Sequence, residues 1–145
     1  MAIPGTSDVQ LSAPGAAKFT VLSMTDPNGN PSNVLDVDLG FTISGTVSLP
    51  QFLQGAAKVT VYADELGGPF DGPIGSVNLN LVPGPIPDPS GSETYPWSVT
   101  YNGASNILPD PSNGSQVYEL AAVFVLGAAG LDIGAFVELG TFLIN

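Results

Sequence analysis

Residues 34–49 read VLDVDLGFTISGTVSL. Leu35, Val37, Leu39, Phe41, Ile43, Val47 and Leu49 fall on one parity, and Asp36, Asp38, Thr42, Ser44 and Thr46 on the other. Successive strand side chains point to opposite faces, so this alternation predicts one long, half-buried β-strand with the aspartates toward water. The same period of two recurs outward in KFTVLSM (18–24), AKVTVYADE (57–65), GSVNLNLV (75–82), ETYPWSVTY (93–101), QVYELAAVFVL (116–126) and GAFVELGTFLI (134–144). Gly-, Pro-, Asn- and Asp-rich segments separate them, and nowhere does a helical period persist.

About seven such strands in one chain predict an all-β, antiparallel, immunoglobulin-like β-sandwich. At 145 residues the chain is long enough to bury a core without staples. The division expected is an N-terminal arm or first strand over 1–17, where DVQLSA lies between Pro-Gly pairs, and a single sandwich domain over 18–145. Trp97 shares a strand face with Tyr95, Val99 and Tyr101 and is expected at the sandwich centre.

The composition excludes whole classes of chemistry. There is no cysteine or histidine, hence no disulfide, no thiolate and none of the commonest general base. Two lysines, no arginine and a net charge of −11 argue against nucleic acid and anionic membrane surfaces. Neither Lys18 nor Lys58 lies in an S-x-x-K motif, and the pairs Asp64/Glu65 and Asp36/Asp38 are only chain neighbours. The protein is therefore read as a non-enzyme without a cofactor. The apolar run LAAVFVLGAAGL (120–131) falls short of the ~20 residues a spanning helix needs, so no membrane insertion is expected. The opening MAIPGTSDVQLSAPGAAK lacks the basic and apolar regions of a secretory signal, which favours an intracellular or virion-like location over secretion, unless a leader has been removed.

Five oxygen-bearing residues, Asp26, Asn28, Asn30, Asp36 and Asp38, crowd the segment TDPNGNPSNVLDVD (25–38). As a calcium loop the pattern fails: Pro31 occupies the glycine position of an EF-hand and Val37 the position of the bidentate Glu. As a turn each residue has a reason, with Pro27 presetting φ, Gly29 supplying positive φ, and Asp and Asn capping the local backbone. The turn Asp26, Gly29, Asn30, Pro31, followed by Leu39, Phe41 and Thr42, resembles the start of invasin-type bacterial immunoglobulin-like domains. Tyr118, near the start of the next-to-last strand, resembles the tyrosine corner of such sandwiches, which implies that its phenol bonds backbone a few residues upstream. The resemblance implies a surface-adhesin type of binding. The chain departs from the family in having no tandem repeats, no leader and insertions around 64–75 and 83–92.

Only 10% of the residues are charged, against about 25% in an average soluble domain, while 43% are hydrophobic. The deficit is concentrated in the last two strands. If Tyr118, Leu120, Ala122, Phe124 and Leu126 point inward, Val117, Glu119, Ala121, Val123 and Val125 point outward. The final strand is apolar on both parities, with Phe136, Glu138, Phe142 and Ile144 assigned to the outside. The strands at 57–65, 116–126 and 135–144 belong to one sheet of an immunoglobulin sandwich, and Tyr62 is the one ring expected outside.

An oligomer interface is therefore expected from Tyr62, Val117, Ala121, Val123, Val125, Phe136, Phe142 and Ile144, with Lys58, Glu119 and Glu138 as its charges. The expected function is a self-associating structural module: a shell, fibre, tail or decoration component whose partner is itself. An adhesin-type glycan- or protein-binding domain, with or without calcium at the 26–38 acids, is the alternative.

Overall fold

Val34 and Leu35 part company with the strand that the alternation assigns them to. A computed structural model describes residues 5–8, 18–32, 34–50, 54–82, 92–105, 107–108, 117–128 and 131–144, with backbone alone for 5–8, 128, 131–133 and 144. In it, the 34–49 run is cut between two sheets. Val34–Leu35 forms β3, parallel to the end of the last strand, while Phe41–Pro50 forms β4 in the opposite sheet. The cut is a turn closed by Asp36, whose Oδ1 accepts the N–H groups of Asp38 at 3.0 Å and Leu39 at 2.8 Å. The Gly40 N–H donates to the Asp36 carbonyl at 2.9 Å.

Gly40 has φ +91°, and a Cβ there would press on the Tyr101 carbonyl oxygen, so the turn requires glycine twice over. Asp36 and Asp38 are thus turn residues rather than the wet face of a strand. Leu39, assigned to the core by parity, is 69% exposed at the turn tip. Asx hydrogen bonding offers the backbone an alternative to the ladder, and here it wins.

The remaining strands, apart from β1, overlap the alternating segments. They are β1 (Gly5–Asp8), β2 (Lys18–Thr25), β5 (Gly55–Glu65), β6 (Asp71–Leu81), β7 (Ser92–Tyr101), β8 (Val117–Ala128) and β9 (Leu131–Ile144). One sheet has the order β1-β2-β4-β7 and the other β3-β9-β8-β5-β6. In immunoglobulin terms β2-β4-β7 are strands A, B and E, β9-β8-β5 are G, F and C, and β6 is an added C′. The chain is an immunoglobulin-like β-sandwich. The N-terminal pairing falls at 5–8 beside β2; most of DVQLSA, and the loop around 83–91, lie outside the described residues. Among the described residues no helix is long and apolar enough to cross a membrane.

The core lies between the inner faces. Phe19 of β2 stacks on Trp97 of β7 at 5.3 Å and meets Phe124 of β8 across the sandwich at 5.7 Å. Val59, Val61, Leu120, Ala122 and Leu126 complete the opposing layer, all essentially inaccessible. Trp97, Val99 and Tyr101 are buried, as their shared parity requires. Two strand-interior prolines, Pro73 and Pro96, sit on β6 and β7, the terminal strands of the two sheets, where a missing N–H is tolerated.

A bulge in β9 sets the outer surface. Leu120 pairs with Gly140 but Ala121 pairs with Glu138, leaving Leu139 as an extra residue. Gly140 takes φ +104°, and both Gly140 and Thr141 face out. Beyond the bulge the parity is inverted. Phe142 is therefore in the core at 6% exposure, not on the outer face, and Leu143 is outside at 51%.

Candidate functional site: the outer face of the five-stranded sheet

The acidic turn is chemically self-contained. Asp26 Oδ1 accepts the N–H groups of Asn28 and Asn30, each at 2.9 Å, and Gly29, at φ +84°, donates to the Asp26 carbonyl at 3.0 Å. Asp36 Oδ1 is likewise occupied by two backbone donors. Among the described residues no three or more carboxylates gather as a metal-ligand set.

The corner bond expected of Tyr118 is made elsewhere. Tyr101 Oη accepts the backbone N–H of Leu108 at 2.8 Å, whereas Tyr118 Oη, fully buried, has no partner among the described residues. Burial, then the nearby Glu65 carboxylate and Tyr101, push the Tyr118 phenol up to about 12. Glu65 is 9% exposed, and its Oε2 accepts the Phe70 N–H at 3.2 Å, closing the β5–β6 turn.

The register of β9, β8 and β5 places outward side chains in rows. Glu138, Ala121 and Tyr62 form one row; Phe136, Val123 and Thr60 the next; Gly134, Val125 and Lys58 the third. On the other side of the first row stand Thr141, Glu119 and Asp64, followed along β8 by Val117 beside Leu143. Tyr62 (39%), Val125 (47%) and Phe136 (51%) are exposed, and Val117, Ala121 and Val123 are half-buried. Lys58, Glu119 and Glu138 are exposed. Phe142 does not belong to this face, and the Ile144 side chain lies outside the described residues. Leu143 takes the place of Phe142, and Gly140 within a strand pattern was the sequence signal for that inversion.

At the Glu119 end the face is concave. A groove of ≈ 240 Å³ is lined by the rings of Tyr62 and Phe136 together with Asp64, Asp71, Glu119 and Glu138. At the other end Lys58, Val123 and Val125 line a shallower depression with Asn78. No ion pair joins Lys58 or any of these carboxylates to another described residue. Among the described side chains the face is thus polarised along the strands, with four carboxylates toward one end and Lys58 at the other.

No protein-family model matches the chain, and no curated protein matches it. Among solved structures, the crystal structure of the C-terminal domain of wzt is similar to it, with a TM-score of 0.50 at 10% identity. The match covers 96% of this chain and 78% of that one. It is a likeness of fold. At that identity the wzt domain carries no information about which side chains occupy the face, and the site rests on its own geometry.

Proposed function

We propose that this protein is a non-enzymatic interaction module that self-associates through the outer face of β9, β8 and β5, as a shell, fibre, tail or decoration component. The observation that carries the reading is the apolar band on that face. Tyr62, Val125 and Phe136 are three of the nine large hydrophobic residues exposed among the described residues, and with Ala121 and Val123 they occupy adjoining rows of one sheet surface. Exposed apolar side chains scattered singly need no explanation, whereas a contiguous set marks an interaction surface. These three strands together with the adjoining β6, at ~4.8 Å spacing and ~3.3 Å per residue, offer on the order of 700 Å². That is close to the ~800 Å² per partner of a standard interface. The test is light scattering behind size exclusion at tens of micromolar. The wild type is expected above monomer mass and Val123→Asp at monomer mass, with both equally folded; a strictly monomeric wild type overturns the reading.

A second reading, an adhesin-type module for a glycan or protein ligand, is supported by the groove, where two rings stand among four carboxylates. The Asp26–Pro31 turn, with an immunoglobulin-like sandwich behind it, supports membership of the invasin-type bacterial domains. A calcium-assisted version is not favoured, because both turn aspartates already accept two backbone N–H groups each.

A further inference from the structure

The polarity of the face selects one way for two copies to meet. We propose that the second copy docks with its strands reversed, so that Lys58 of each molecule enters the aromatic and acidic groove of the other. This rests on the self-association reading above and adds to it the register, the symmetry and the ion pair.

Two sheets stacked face to face by a two-fold axis have that axis in the plane of contact. If it runs along the strands, positions at the same height meet: the acidic end of one copy faces the acidic end of the other, and Lys58 lies level with Lys58. Like charges brought together in this way are repulsive. If the axis runs across the strands, heights are exchanged and the acidic end receives the cation. The register gives the centre of such an axis. Val61 pairs with Ala122, so an axis beside them exchanges positions 58 and 64 on β5 and positions 119 and 125 on β8. Lys58 is six residues from Asp64, ~20 Å along the strand at ~3.3 Å per residue. Reversal carries it over Asp64 and Glu119 of the other copy.

Chemistry at the contact agrees. Lys58 and the groove carboxylates have no ion-pair partner among the described residues, so no pair among those residues is broken. The rings of Tyr62 and Phe136 line the place where the ammonium arrives, and a cation against an aromatic face is attractive. The half-buried Thr60, Ala121 and Val123 and the exposed Tyr62 come together at the centre, with Glu138 flanking them on β9. Only two lysines exist in the chain, and Lys58 is the one on this sheet. Because the arrangement is isologous, each dimer contains the contact twice.

The experiment is a charge swap read by sedimentation equilibrium, with circular dichroism and a thermal melt as fold controls. Lys58→Glu is expected to weaken dimerisation on the order of 100-fold, since two interfacial charge pairs become repulsive at once. The double variant Lys58→Glu/Asp64→Lys is expected to return within about tenfold of wild type, because reversal again sets opposite charges together. Both sites are exposed, so melts recorded at concentrations too low for dimerisation should be unchanged. If Val123→Asp is monomeric while Lys58→Glu dimerises like wild type, or if Asp64→Lys does not rescue, the reversed register is wrong and the face alone survives. If the wild type is monomeric and instead binds a lysine-rich peptide in the groove, the occupant is a basic partner; this register and the self-association reading then fall together.

Discussion

The phenolic oxygen of Tyr101 accepts the backbone N–H of Leu108 at 2.8 Å, and both residues are buried. Tyr118, equally buried and packed edge-on against Phe70 at 6.1 Å, has a hydroxyl without a partner among the described residues. Two tyrosines of one core thus stand on opposite sides of the hydrogen-bond ledger. Removing an acceptor strands a buried donor at a cost of about 1–3 kcal/mol, while removing an unpaired hydroxyl costs nothing comparable. Tyr101→Phe should therefore lower unfolding stability by about 1–3 kcal/mol. Tyr118→Phe should be neutral or stabilising. Urea unfolding followed by tryptophan fluorescence, with Trp97 as the single reporter, distinguishes them.

Tyr118 also gives the fold an alkaline limit. Its folded-state value, about 12, lies above the ordinary 10.0 because burial and the Glu65 carboxylate disfavour the phenolate. The unfolded state therefore releases the proton first as pH rises. The associated stability is complete below about pH 10 and is lost between about pH 10 and 12. Tyr95 shifts upward too, through burial and then Glu93. The useful quantity is thus the difference between wild type and Tyr118→Phe, which should widen in the variant's favour across that window. A constant difference from pH 9 to 12 would contradict the assignment.

Phe136 and Phe142 share a strand and a parity but not an environment, being 51% and 6% exposed. Phe142→Ala should cost about 3–5 kcal/mol, the usual range for a buried phenylalanine. Phe136→Ala should change stability by less than about 1 kcal/mol and be felt in association instead. Equal losses in the two melts would place the bulge incorrectly.

Two positive-φ glycines in the turns are predicted to behave differently on substitution. At Gly29 a Cβ meets nothing within 4 Å, so Gly29→Ala carries only backbone strain, about 1 kcal/mol. At Gly40 the Cβ also presses on the Tyr101 carbonyl, and Gly40→Ala should cost distinctly more. Chemical denaturation of the pair checks the order.

Millimolar calcium should leave the melting temperature unchanged, because the turn carboxylates already serve backbone donors. A ligand that binds the native state must raise it, so an upward shift abolished by Asp26→Ala would restore the metal reading.

The strand set was legible because alternation is a direct imprint of a half-buried sheet, and the core face of 41–49 follows parity without exception. Parity is blind to a change of sheet. Asp36-Val37-Asp38 alternates perfectly whether it continues a strand or closes a turn, and only its side-chain hydrogen bonds decide. Gly140 was visible, but its positive φ and the inversion of Phe142 and Leu143 follow from pairing with β8. The groove was the least legible feature. Its six defining side chains come from four strands, β5, β6, β8 and β9, and Asp71 joins Asp64 only through the β5–β6 register. Segments far apart in sequence must be aligned before such a site can be read.

Pro73 and Pro96 carry a consequence for larger assemblies. β6 and β7 run beside each other on one flank of the sandwich, and each has a gap in its donor row. A foreign strand cannot hydrogen-bond continuously along that flank, so growth by sheet extension is blocked there. A symmetric face-to-face pair, in turn, consumes its own contact surface and stops at two. An extended shell or filament made of this protein would thus be a lattice of closed pairs, linked through surfaces on the opposite sheet or at the loop ends.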